Sequence, residues 1–170
     1  MTDLRSFVIN LAREAGQLIV HYRNIESVKR EFKDGLEMVT NADLEADQLI
    51  RKGIAETFPD HLLLSEESSP DLGNLETLDA PVWIVDPIDG TVNYAHGHNH
   101  SAVSIAYSED KQIRIGVVFN PFTNEMWVGE KGKGAFLNGE SIRVAEEKEL
   151  SRAIIATGFP YEKSELNIMI

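Results

Sequence analysis

Apolar side chains at Leu4, Phe7, Val8, Leu11, Ala15, Leu18, Ile19 and Tyr22 recur in steps of three and four. That period predicts an amphipathic helix with one buried face, capped at its start by Thr2 or Asp3. Leu44, Leu49, Ile50, Ile54 and Phe58 predict a second helix, with Thr40 or Asn41 as N-cap and Pro59 just past its end. Asp43 then falls in the first turn, beside N–H groups that have no partner within the helix. After Pro59 the period changes. Residues 61–65 (HLLLS) and 82–85 (VWIV) are apolar runs of strand length, and each runs straight into acid: Glu66 and Glu67 after the first, Asp86 after the second. From Ser101 the segments SAVSIAY, QIRIGVVF and EMWVGE alternate with the turn signals SEDK and NPFTN, as in an antiparallel meander. Asn138-Gly139 predicts a tight hairpin between GAFL and ESIRV. A further strand is expected to begin near Leu150 with AIIATGFP, and residues 68–81 read as a mobile surface connection. Together these patterns predict an α+β fold: two N-terminal helices packed on one antiparallel sheet, with acids gathered at one sheet edge. Residues 1–150 are expected to form that domain, and 151–170 to begin a second α/β domain.

Composition narrows the function. The chain has 170 residues, 42% hydrophobic and 26% charged, enough for a core that needs no disulfide staples. It has no cysteine, so thiolate metal sites and cysteine nucleophiles are excluded. No apolar run approaches the roughly 20 residues needed to cross a bilayer. The first residues, MTDLRSFVIN, do not read as a signal peptide, and a cytoplasmic protein with no membrane partner is expected. The formal charge of −12 repels a nucleic-acid backbone, so no nucleic acid is expected as a partner. It repels an anionic substrate as well, unless a bound divalent cation reverses the local sign.

Acids are densest around residues 83–97, WIVDPIDGTVNYAHG. A buried strand emerges there into Asp86-Pro87-Ile88-Asp89-Gly90-Thr91, where Pro87 fixes one backbone angle and turns the chain. Asp86 and Asp89 can converge across that turn. Gly90 admits a close ligand, and N–H groups of Gly90 and Thr91 suit a phosphate if a helix starts there. Two carboxylates with the free carbonyl of Ile88 form an all-oxygen set of the kind magnesium takes. If the strand before Glu66 lies beside the one ending at Val85, one of Glu66 and Glu67 meets the same point and the other supports it from behind. Taken singly, DPIDG is also a plain turn, and each acid an exposed charge or a cap.

The run Trp83 to Tyr94, with Asp86-Pro87-Ile88-Asp89-Gly90-Thr91 at its centre, resembles the signature of the inositol monophosphatase family. Glu66-Glu67-Ser68 resembles that family's upstream glutamate pair, and Lys33-Asp34-Gly35 through Val39-Thr40-Asn41-Ala42-Asp43 its N-terminal segment. GVVFNPFTNEMWVGEKGKGAFLNGESIRV is similar to its central meander. The resemblance implies the first half of a layered αβαβα fold and a magnesium-dependent phosphate monoester hydrolase with two or three Mg2+ ions. Its implied substrate is a small phosphorylated polyol or sugar, most simply an inositol phosphate, and its implied assembly a homodimer. It implies that Glu66, Asp86 and the Ile88 carbonyl hold one ion, and that Asp86 and Asp89 supply ligands to another. Gly90 and Thr91 hold the phosphate through backbone N–H groups, and Glu66, Ile88 and Asp89 also border the substrate. Thr91 and Asp43, with Glu66, position the attacking water. Glu67 supports these ligands, and Lys33 lies in a mobile loop near the site. The family's later tryptophan–aspartate motif has no counterpart after Leu150, which places this sequence with the first part of the fold and leaves substrate choice open.

Other readings compete. Fructose 1,6-bisphosphatase, NADP phosphatase and nucleotide 3′-phosphatase belong to the same superfamily. A non-catalytic metal-binding assembly module is the alternative outside enzymes, and magnesium-dependent phosphate release separates the two. His96, His98 and His100 alternate as zinc ligands on a strand would. GEKGKGAF is glycine-rich but lacks the spacing of a nucleotide phosphate loop, and turn residues between strands explain it better.

Overall fold

The computed structural model describes residues 3–25, 27–33, 37–68 and 80–156. Helix α1 spans Leu4–Asn24, and Asp3 caps it by accepting the Ser6 N–H at 3.3 Å. Strands β1 (Arg30–Lys33) and β2 (Glu37–Thr40) pair as a small antiparallel hairpin. Helix α2 (Asn41–Thr57) follows directly, with Thr40 as N-cap. Strands β3 (Leu62–Ser65) and β4 (Val82–Asp89) lead to the short helix α3 (Thr91–Ala95). A meander of β5 (Ala102–Glu109), β6 (Gln112–Asn120), β7 (Glu125–Glu130), β8 (Gly134–Leu137) and β9 (Glu140–Ile142) completes the sheet.

The seven strands run in the order β3-β4-β5-β6-β7-β8-β9. Every neighbouring pair is antiparallel except β3 and β4, which are parallel, so the expected antiparallel sheet is a mixed one. The reason is topological: β3 and β4 are separated by a connection long enough to return the chain to the same end. Most of that connection, 69–79, lies outside the described residues, and with it the loop expected over 68–81.

Both long helices cover one face of the sheet. Val8, Ala12, Ala15 and Ile19 of α1 and Ala42, Ala46 and Ile50 of α2 meet Trp83, Val103, Ile105, Ile115 and Val117 in one fully buried cluster. Gly16 lets α1 approach β6, since a Cβ there would lie 2.6 Å from the Phe119 ring. The turn signals are realised as left-handed backbone: Asp110 and Lys111 have φ of 52° and 59°, Asn138 and Gly139 of 50° and 87°.

Two further expectations change. Lys33 closes β1, its backbone paired with Glu37, rather than standing in a loop, and its side chain lies outside the described part. No strand begins over 153–156. A 3-10 turn occupies Leu150–Arg152, and the exposed Ile154 and Ile155 find no strand to pair with among the described residues. Residues 157–170 of that expected strand region lie outside the described residues.

Candidate metal and phosphate site

The parallel pairing of β3 and β4 aligns Ser65 with Val85. The Glu66 N–H continues the ladder by donating to the Val85 carbonyl at 3.2 Å, which sets Glu66 beside Asp86. In a regular strand Asp86 and Asp89 would face opposite sides. Here β4 carries one extra residue against β5: Asp86 pairs with Ser104 and Asp89 with Ala102. Ser104 and Ala102 share a face of β5, so the bulge brings both aspartates to one side of the sheet. Pro87 sits inside the bulge, where a missing N–H removes nothing from the ladder.

At Gly90 the backbone turns left-handed, φ 86° and ψ 43°, and becomes the N-cap of α3. A Cβ at this position would also lie 2.8 Å from the His100 carbonyl oxygen, so both conformation and space require glycine. Arg23 of α1 braces the chain after α3. It donates to the Tyr94 and His98 carbonyls at 3.2 and 3.1 Å, and its guanidinium lies 3.6 Å from the Phe122 ring centroid.

Glu66, Asp86, Ile88, Asp89, Gly90 and Thr91 thus line a single cleft of about 240 Å³. Asp86 is its electrostatic centre. Burial first, then the neighbouring Glu66, Asp89 and Asp43, push its carboxyl up to about 8. Its Oδ1 is buried without a hydrogen-bond partner. An orphaned carboxylate oxygen beside two further carboxylates is the arrangement a hard divalent cation satisfies, and the donor set is entirely oxygen. The residues present therefore fit such an ion. Among the described residues no three His, Asp or Glu side chains are grouped closely enough to hold an ion by themselves, and the cleft is an open wall of oxygen atoms.

Asp43 stands behind that wall. It is 1% exposed, and its Oδ2 accepts the Thr40 N–H at 2.8 Å, closing the first turn of α2. Its Oδ1 lies 3.0 Å from Thr91 Oγ1, which is also 3.0 Å from the Ile88 carbonyl oxygen. Burial raises the Asp43 carboxyl despite these hydrogen bonds. A hydroxyl has one proton, so Thr91 donates to one of these acceptors at a time and keeps lone pairs for another donor.

Glu66 lines the cleft, whereas Glu67, the next residue, is not among its described walls. The alternating histidines do not form a ligand set. His96, His98 and His100 are exposed, and His96 Nδ1 rests 2.8 Å from the Val92 carbonyl one turn back. GEKGKGAF spans the end of β7, a three-residue turn and the start of β8. Two contributors escape a reading of the sequence. Arg23 shows only as a polar position of α1. Asp47, 4% exposed, accepts the Ser65 hydroxyl at 2.5 Å immediately before Glu66; its one signal is its spacing of four from Asp43.

Comparison with known proteins agrees with this geometry. The model of the family described as "Inositol monophosphatase family" matches residues 1–167. Inositol monophosphatase 2 of Solanum lycopersicum is 39% identical over 158 residues, 92% of this chain and 59% of the relative. A Thermotoga maritima protein named fructose-1,6-bisphosphatase/inositol-1-monophosphatase is 38% identical over 159 residues, 92% of this chain and 59% of that protein. The crystal structure of extragenic suppressor protein suhB from Bartonella henselae superposes with a TM-score of 0.78 at 32% identity, covering 88% of this chain and 57% of that one. The chain therefore spans somewhat under three fifths of the length of these relatives. With the acidic cleft on the matched strands and the match running almost from end to end, the chain belongs to the inositol monophosphatase family.

Proposed function

We propose that the protein is a magnesium-dependent phosphate monoester hydrolase acting on a small phosphorylated polyol or sugar, with an inositol monophosphate as the first candidate. The observation that carries this reading is the buried, unpartnered Asp86 Oδ1 in a cleft shared with Glu66 and Asp89. Glu66, Asp86 and the Ile88 carbonyl would hold one Mg2+, and Asp86 and Asp89 would contribute to a second. When bound, the ions supply Lewis-acid polarisation of the phosphate and make water a better nucleophile at neutral pH.

The chain's own groups do the rest. The left-handed turn at Gly90 keeps side chains out of the way where the phosphate oxygens approach the N–H groups of Gly90 and Thr91. Thr91 orients the attacking water: its hydroxyl accepts from the water while donating to Asp43. Asp43 is a suitable final acceptor because burial raises its carboxyl, which makes it a better base than an ordinary aspartate. Residues 1–150 form the domain that carries this site.

Fructose 1,6-bisphosphate is the second substrate reading, supported by the double name of the Thermotoga maritima relative. Phosphate release from inositol monophosphate, fructose 1,6-bisphosphate, NADP and a nucleotide 3′-phosphate, each with Mg2+ and with chelator, tests the proposal. Mg2+-dependent release from at least one polyol or sugar phosphate is expected. Release unaffected by chelator contradicts the metal dependence, and release from none of the four contradicts the activity and favours a non-catalytic metal-binding module.

A further inference from the structure

Helix α2 carries two buried carboxylates one turn apart. Asp43 is 1% exposed and Asp47 4%. Residues four apart share a helix face, so this face addresses both strands of the parallel pair. Asp43 reaches Thr91, just past the end of β4. Asp47 reaches Ser65, the last residue of β3, whose fully buried hydroxyl donates to its Oδ1 at 2.5 Å. Glu66 follows Ser65 directly, and its own N–H is bound to Val85.

A carboxylate is an expensive way to fill a core position, and an apolar residue of similar volume would bury more favourably. Asp47 therefore needs a reason beyond stability. What its hydrogen bond tethers is the side chain of the residue before Glu66, at the last paired position of β3. The geometry points to Asp47 as a positioning residue: through Ser65 it sets Glu66 against Asp86, so that one helix braces the chain at both Glu66 and Thr91. This rests on the cation-site reading given above.

The test uses Ser65→Ala, Asp47→Ala and the double variant in the 170-residue chain, with Asp47→Asn as the conservative control. Ser65→Ala alone leaves a buried carboxylate without its donor and lowers the melting temperature. Removing both partners recovers much of that loss. If Asp47 acts through position, the double variant regains stability yet still exchanges the Glu66 amide about tenfold faster than wild type in metal-free protein. Its Mg2+ affinity, measured by calorimetry, stays about 10- to 100-fold weaker, as is usual when a partner of a metal ligand is lost. Asp47→Asn keeps an acceptor for Ser65 and restores both readouts. Exchange and affinity that recover together with the melting temperature in the double variant would overturn the inference. If Asp47→Ala does not fold, Ser65→Ala, one oxygen atom smaller, gives the same exchange reading. If the wild-type chain binds no Mg2+, the cation reading fails, while accelerated Glu66 exchange in the variants still upholds the positioning of Glu66 through Ser65 and unchanged exchange still refutes it.

Discussion

Trp83 and Asp86 stand three residues apart on β4, and their surroundings differ in kind. Trp83 is fully buried, packs edge-on against Phe7 at 5.7 Å and beside Tyr107 at 4.9 Å, and donates its indole N–H to His61 Nδ1 at 3.1 Å. His61 in turn stacks on Phe58 at 4.8 Å and on Tyr107 at 5.4 Å. The indole N–H is thus satisfied and its ring sits among apolar partners. Asp86 has a buried oxygen with no partner and three acidic neighbours. The same strand is optimised for the fold over its first half and held in an unfavourable electrostatic state over its second. Such a state persists in a stable domain when the rest of the structure over-determines it and a ligand relieves it. Here the Trp83 cluster anchors the strand, and under the proposed function a cation would be the relieving ligand.

The largest effect is expected from Asp86→Asn, which keeps shape and removes charge. Mg2+-dependent phosphate release should fall to background while circular dichroism stays unchanged. Near-normal turnover by the folded variant would remove Asp86 from the site. Next comes Thr91→Ala. Loss of the water-orienting hydroxyl should lower kcat about a hundredfold, the scale of proton handling and positioning. Mg2+ affinity should be preserved, because no cation ligand is touched. Equal losses in both would make Thr91 a structural residue.

Trp83→Phe sharpens the comparison from the other end. It leaves His61 Nδ1 without its donor and should destabilise the fold by about 1–3 kcal/mol in chemical denaturation. Mg2+ affinity and kcat should stay within about twofold, since additivity holds for sites without shared partners. A drop in Mg2+ affinity matching the stability loss would mean that the two halves of β4 are not independent.

Legibility followed the same division. Periodicity identifies α1, α2 and the meander because their buried positions recur at 3.6 or 2. The gathering of Glu66 and Asp86 was conditional on β3 lying beside β4, and the parallel pair fulfils that condition. The sequence predicts a strand ending at Val85 and a turn at Pro87, whereas β4 runs through Pro87 to Asp89 as a bulge, and its consequence, both aspartates on one face, depends on the register with β5. The β1–β2 hairpin was missed because REFK and EMVT carry too few apolar residues to alternate visibly. Asp47 and Ser65 look like ordinary polar residues until the tertiary fold buries them.

A smaller effect concerns pH. The Asp86 carboxyl is raised in the fold, so its contribution to stability is complete below the ordinary carboxylate range and is lost as pH rises through about 8. The metal-free protein should therefore lose melting temperature from about pH 4 up to about pH 8 and level off above it. The fall should be shallower for Asp86→Asn and for wild type with saturating Mg2+. Identical slopes in all three would show that Asp86 is not the titrating group.

The central claim, that Glu66, Asp86, Asp89 and the Ile88 carbonyl form a cation site, is tested most directly by calorimetric titration of Mg2+ into the metal-free chain at pH 7. Performed in two buffers of different ionisation enthalpy, it reports protons released along with the heat of binding. With Asp86 raised to about 8, the first cation should displace about one proton, and Asp86→Asn should abolish that release together with most of the affinity. Absence of Mg2+ binding, or binding with no proton release that survives Asp86→Asn, would contradict the account.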